Sequence, residues 1–361
     1  MAIRYKALTE LYHETQRSVT APAQWQAFLA SACRNYRLSF DEQLLVYAQR
    51  PDATAVLEIE RWNKRFGRWV NRGANGIAVF DGEHTGRPRL KYYFDISDTH
   101  EGNFPQSIPL WAVRPEYEPE IIETLENSFG ELEHKEDLGT ALLSAAKNAV
   151  EDNIQDYLSE LKTITEGSFL EELDEDNIRV RFRELMTNSI FYTLSRRCGQ
   201  EPMDVLNDDD FIRIVDFNKL PVLSFLGNAV SEQCEAVLFD IGREMRKIYK
   251  KEITQQLEKS VDSLYNTNTD FNTLKRETKE NTTKGGQENG VDVLPQGRLS
   301  VPESGREGRA ADHREVRDAA QDLSEGKQEE LVSEYADERQ AESASGADRR
   351  AGGEPLSLIH I

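Results

Sequence analysis

The sequence predicts an α+β amino-terminal domain, three helices and then a small antiparallel sheet, followed by an all-α domain and a disordered tail. Three observations carry this. Apolar residues keep helical spacing up to Phe66 and give way after Gly67 to short runs rich in β-branched and aromatic residues. Over 116–251 the spacing is helical almost throughout. From about Thr267 large apolar residues become scarce, and Gly, Ser, Glu and Arg take over.

Residues 1–19 read as a short polar arm or helix, apart from the domain at 20–115. Thr20 is placed to cap the next helix, with Pro22 in its first turn, where a missing N–H costs little. Trp25, Phe28, Leu29, Ala32, Cys33 and Tyr36 recur on its apolar stripe. Ser39-Phe40-Asp41-Glu42 reads as a capping box that opens the second helix; Leu44, Leu45, Tyr47 and Ala48 continue it and Pro51 ends it. A third helix is expected from Leu57 to Phe66. Trp69-Val70 and residues 76–80 read as short strands joined by a turn at 71–75, and 89–96 as a third strand.

In the helical domain, 116–265, Leu138, Ala141, Leu142, Ala145, Ala149, Ile154, Tyr157, Leu158 and Leu161 keep one face, as do Val230, Cys234, Val237, Leu238, Ile241, Met245 and Ile248. Acidic runs at 131–137, 171–176 and 208–210 separate the helices. Residues 266–355 read as a disordered linker, with a transient helix at 331–339. The abruptly apolar LSLIHI at 356–361 reads as a scar, which makes the chain a fragment of something longer.

The 361 residues carry a net charge of −21, unevenly spread. Residues 1–95 hold 14 Lys and Arg against 10 Asp and Glu, a net of +4, which leaves −25 for the rest. A polyanion site must therefore be local and in the head. Cys33, Cys198 and Cys234 are isolated, which excludes a disulfide framework and a Cys-rich zinc site and fits a reducing cytoplasm. The amino terminus lacks the apolar core of a signal peptide, and no run approaches the ~18 apolar residues of a membrane span.

No catalytic residue, metal ligand or cofactor is expected. There is no HExxH, no GxxxxGK[ST] and no GxSxG, and the histidines (13, 84, 100, 134, 313 and 360) are scattered in polar sequence. Asp95, Asp98 and His100 follow a strand and read as a turn before they read as a cation site.

The densest constellation is 61–73. Arg61, Lys64, Arg65, Arg68 and Arg72 lie within twelve residues of one another, with Trp62, Phe66 and Trp69 among them. Single-stranded nucleic acid is held by cations along the phosphates and by flat side chains on which bases stack. The five cations would neutralise phosphates, and Tyr36, Phe66 and Trp69 would stack. Arg34, Arg37 and Arg50 lie at the ends of the two preceding helices, and Gly73 and Gly76 would let backbone N–H groups approach a phosphate. The plainer reading is a solvated basic face. Trp25, Phe28 and Leu45 read as core, as does Trp62 by its spacing from Leu57 and Ile59, while Phe66 and Trp69 read either way.

Several short motifs in order complete the picture: Tyr36 to Phe40, Gln43 to Gln49, Ala53 to Val56, Trp62 followed by Gly67 to Ile77, and the FDISDT at 94–99. Over roughly 20–102 the chain resembles the amino-terminal domain of ArdC-type antirestriction proteins. The resemblance implies sequence-tolerant binding of single-stranded DNA in proteins of conjugative elements. In ArdC itself that domain precedes a zinc metalloprotease, whose HExxH is absent here. The chain as a whole is similar to the amino-terminal part of large polyvalent proteins with methylase and helicase domains downstream, which would then be partners in the same polypeptide. The competing expectation is an interaction protein whose acidic helices imitate DNA charge toward host restriction or repair proteins.

Overall fold

The structure is a computed structural model that describes residues 4–82, 89–106, 108 and 110–284, with side chains to Ser260. It is mostly helical, with a small antiparallel sheet. Residues 1–281 form one compact unit; of the unit that begins at Thr282, only the end of the last helix is described.

The head begins with α1 (Tyr5–Ser18), the helix of the two forms, arm or helix, that the sequence allowed. It belongs to the fold: Leu8 is buried with Leu45, Val46, Val56, Ile77, Ala78, Val79 and Tyr93, and Tyr5 and Tyr12 both meet the Phe80 ring. α2 (Pro22–Ala32) has Pro22 in its first turn as expected, but its cap is Ala21. Thr20 instead donates its hydroxyl to Arg17 O, closing the end of α1. α3 (Phe40–Gln49) opens on the expected capping box: Ser39 Oγ accepts from Glu42 N–H and Glu42 Oε2 accepts from Ser39 N–H.

The helix expected from Leu57 starts two residues later. Val56–Glu58 is strand β1, and α4 (Ile59–Phe66) follows directly. Trp62 and Phe66, one turn apart, form its buried face, and the Trp62 indole N–H donates to Phe94 O at 2.8 Å. β2 (Arg68–Val70), β3 (Ile77–Asp81), β4 (Arg89–Asp95) and β5 (Thr99–Glu101) complete the head. Two antiparallel sheets result, with strand order β1-β4-β3 and β2-β5. β2 and β3 are therefore not a hairpin. β2 pairs with β5, Trp69 opposite His100, and β3 with β4. Local alternation cannot distinguish a neighbour in sequence from a partner thirty residues on.

The helical body contains α5 (Glu118–Phe129), α6 (Leu138–Leu161), α7 (Glu175–Cys198), a 3-10 helix at Asp208–Asp216 and α8 (Leu220–Lys284). The expected acidic runs do separate these helices, and they do local work. Asp137 caps α6 by accepting from Thr140 N–H at 2.8 Å, Asp174 caps α7 by accepting from Asn177 N–H at 2.9 Å, and Asn207 with Asp210 forms the box that opens the 3-10 helix. Acidic side chains at helix amino termini satisfy orphan N–H groups and complement the helix dipole.

The expected boundary at 115/116 does not divide the molecule. Trp25, Phe28, Leu29, Phe40 and Leu44 share a single core with the body helices, while Leu45 and Val46 on the other face of α3 join the sheet core. The Trp25 indole N–H donates to Ser189 Oγ on α7 at 2.9 Å. A Cβ at Gly227 on α8 would overlap the Phe40 ring. α3 is thus a wall common to two cores. α8 also corrects the sequence reading, since its helical backbone continues to Lys284 where a linker was expected from 266. No glycine or proline interrupts the chain between Gly242 and Gly285, so propagation meets no breaker although apolar residues thin out. The transient helix at 331–339 and the terminal LSLIHI lie outside the described residues. No helix among the described residues is long and apolar enough to cross a membrane.

Candidate nucleic-acid interface

The expected binding residues divide into three groups. The first is spent on the fold. Arg34 donates through Nε to Ala53 O at 2.8 Å and through its terminal nitrogens to Ala30 O, at 2.9 Å, and Pro51 O. It thereby satisfies carbonyls of the irregular segment between α3 and β1. Arg68 donates to Thr99 Oγ1 at 2.8 Å and Thr99 O at 3.2 Å, and pairs with Glu101 at 3.1 Å. It serves as a clamp across the β2–β5 ladder. Tyr36 and Phe66, offered as stacking platforms, are each only 7% exposed, so neither can receive a base.

The second group surrounds a cleft. Arg50 pairs with Asp98, donates to Ser97 Oγ at 2.8 Å and lies 4.0 Å from Asp95 and Asp52. Gly73 adopts φ +88° in the loop after β2. Gly76 lies so close to β4 that a Cβ would stand 3.1 Å from both Tyr92 and Phe94.

The third group faces solvent. On α4, Arg61, Lys64 and Arg65 fall at i, i+3 and i+4, on the face opposite Trp62 and Phe66. Lys64 is 3.2 Å from Glu60, an exposed pair of little energetic weight. The Arg65 guanidinium lies 5.7 Å from the Phe66 ring centroid. Arg72 is exposed in the loop after β2, and Arg37 is exposed with its guanidinium 5.8 Å from the Tyr36 centroid.

Trp69 decides what this exposed group can do. It is 53% exposed, the only tryptophan that is not buried. Gly67, the left-handed cap of α4 at φ 58°, turns the chain straight into β2, so Trp69 follows the α4 cations by a few residues. In the antiparallel register it stands opposite His100, and directly paired residues share one face of a ladder. His100 is also exposed, its Nδ1 2.7 Å from Asn71 Oδ1. The indole is seated on Gly102, where a Cβ would come within 2.7 Å of Nε1.

The segment after β5 folds back along the same junction. Gly102 N–H donates to Gly67 O at 2.8 Å, and Gln106 N–H donates to Phe66 O at 3.0 Å. This brings Phe104, 84% exposed, beside the end of α4, where a Cβ on Gly67 would overlap its carbonyl. His100 and Phe104 were not anticipated. Their signal is the β2–β5 register and the glycine at 102, neither of which declares itself in a linear reading.

Asp95 is structural. Asp95 is buried and accepts from Thr54 N–H at 2.7 Å, Ala55 N–H at 3.0 Å and Ser97 Oγ–H at 2.6 Å. Burial would raise its carboxyl, but these hydrogen bonds outweigh it and hold the pKa below the usual carboxylate range. Among the described residues no cluster of His, Cys, Asp and Glu could hold a metal ion. All three cysteines are free and buried, and burial pushes the Cys198 and Cys234 thiols up to about 12, which leaves them unreactive at neutral pH.

No family model, no curated protein and no solved structure matches this chain.

Proposed function

We propose that the head binds single-stranded DNA along the strip formed by Trp69, His100 and Phe104, flanked by Arg61, Lys64, Arg65 and Arg72. The reading agrees with what the ArdC-type resemblance implies, but it relocates the contact. The supporting observation is the Trp69–His100 pair: a half-exposed indole on a glycine seat, aligned by strand register with a second exposed ring, beside a helix face of three cations. A half-exposed indole keeps flat apolar area that a partner can cover. A base stacked on it supplies that cover and is worth about 1–3 kcal/mol. Nearby cations add a salt-dependent contribution by counterion release. Downstream methylase or helicase domains would receive the strand, and the setting would be the bacterial cytoplasm.

Anisotropy of a labelled oligothymidylate, titrated over a sodium chloride series, tests this. Affinity should fall steeply with salt, by a slope of about −0.7 per phosphate contacted. Trp69→Ala should weaken binding roughly tenfold, the equivalent of one lost stack. Salt-independent binding, or equal affinity for a duplex, overturns the proposal.

A further inference from the structure

A cleft of about 520 Å³ opens beside this strip. It is lined by Gln49 and Arg50 at the end of α3, by the loop 73–77 and by Asp98. The volume is within the range of small-molecule sites.

The wall chemistry excludes a phosphate. Among the described residues Arg50 is the only cation in the lining, and its charge is offset by the paired Asp98, with Asp95 4.0 Å away. A phosphate would meet the Asp98 carboxylate along with the guanidinium. A flat neutral ring that offers donors and acceptors on one edge meets no such conflict. Arg50 spends two of its five N–H groups on Asp98 and Ser97 Oγ, which leaves donors over, and Asp98 keeps acceptor lone pairs. The Gln49 amide is committed, donating to Ala78 O at 2.7 Å and accepting from Ala78 N–H at 3.0 Å. The remaining wall is Gly73, Ala74, Asn75, Gly76 and Ile77, which adds one apolar side chain among small ones.

The cleft adjoins the strip. Asn71 N–H donates to Asp98 O at 2.8 Å, while the Asn71 side chain contacts His100. The outer face of the β2–β5 ladder thus ends where the cleft begins.

We infer that the cleft takes one unstacked nucleobase of the bound strand, its edge read by Arg50 and Asp98. The inference rests on the single-strand reading above and adds a base preference at one position of an otherwise sequence-tolerant footprint. Edge contacts by paired polar groups discriminate bases by roughly 1–3 kcal/mol each.

The test uses the full chain and two kinds of probe. Uncharged deoxynucleosides, observed by saturation-transfer NMR, report the cleft without phosphate contacts. Four homopolymeric oligonucleotides, observed by anisotropy, report the strand. At least one nucleoside should bind, and one homopolymer should bind about tenfold or more tightly than the weakest. Asp98→Asn should abolish both effects. Ala74→Phe, which fills the cleft from the loop and spares the Arg50–Asp98 pair, should do the same if Asp98→Asn fails to fold. Absence of nucleoside binding, with homopolymers that still bind in an order neither variant alters, overturns the cleft assignment and leaves the single-strand reading standing. Asp98-dependent nucleoside binding without any oligonucleotide binding overturns the strand reading and retains the cleft as a nucleobase site.

Discussion

Two sets of arginines in the head look alike in sequence and behave differently in the structure. Arg34 and Arg50 sit at the ends of two helices, beside tyrosines; Arg61, Arg65 and Arg72 sit around α4, beside tryptophans. Between α3 and β1 the chain is irregular, and the carbonyls of Pro51 and Ala53 have no ladder to join. Arg34 donates to both, and Asn35 Nδ2 also donates to Ala53 O. Arg50 lies within reach of Asp52, Asp95, Ser97 and Asp98. On α4 the same residue types are exposed, with Lys64 paired along the helix to Glu60. A cluster of cations therefore reports a binding face only where its side chains reach solvent.

The strongest way to break this comparison is Arg34→Ala. It strands Pro51 O, while Ala53 O keeps Asn35 Nδ2 and Ala30 O keeps Cys33 Sγ; at about 1–3 kcal/mol for a carbonyl that stays dry, unfolding should lose roughly 2 kcal/mol by urea titration. Oligonucleotide affinity per folded molecule should not change. Arg34→Lys should rescue little, because a single ammonium cannot reproduce the fork. Conversely, Arg61→Ala, Lys64→Ala and Arg65→Ala together should leave stability within about 0.5 kcal/mol, as for surface changes generally. They should lower the magnitude of the salt slope by up to about 2, near 0.7 for each lost phosphate contact. If the triple variant unfolds and Arg34→Ala does not, the two sets have been assigned the wrong way round.

The same distinction explains what was legible. The helix starts at Pro22 and Ser39, the acidic breaks between body helices and the burial of Trp25, Phe28, Leu45 and Trp62 were readable because each depends on residues within one or two turns. β1, the β2–β5 pairing and the shared core on both faces of α3 depend on partners far along the chain, and no local period encodes them. Half of the candidate site was misread for a related reason. The motifs that carry the family resemblance turn out to be fold determinants. Gln49 pairs with both backbone groups of Ala78, and Gln43 donates to Leu38 O and to Ser231 Oγ. Asp95 in FDISDT pins the 54–55 segment. Their density around the basic residues made 34–73 look like one surface, whereas of the residues expected to bind only Arg37, Arg61, Lys64, Arg65, Trp69, Arg72 and Gly73 are exposed.

Acid offers a finer separation of head from body. Glu42 is half-buried, 2.8 Å from Lys91 Nζ and 2.8 Å from Tyr93 Oη. Burial alone would raise its carboxyl, but these two donors outweigh it and hold the pKa below the ordinary value, as the hydrogen bonds to Asp95 do there. A carboxyl whose folded pKa is depressed stabilises the native state above its unfolded pKa, near 4, and loses that contribution as pH falls through the folded value. Both groups tie α3 and the 54–55 segment to β4, at the sheet core; among the described residues the body's fully buried polar side chains are Ser and Thr hydroxyls, with Asp216 the one carboxylate, beside Arg181. Below about pH 4, amides of β3 and β4 should therefore lose hydrogen-exchange protection before those of α6 and α7. Asp95→Asn should remove part of that pH dependence at a constant cost in stability. Loss of protection in the two cores at the same pH would show that the wall formed by α3 couples them too tightly for the sheet to open alone.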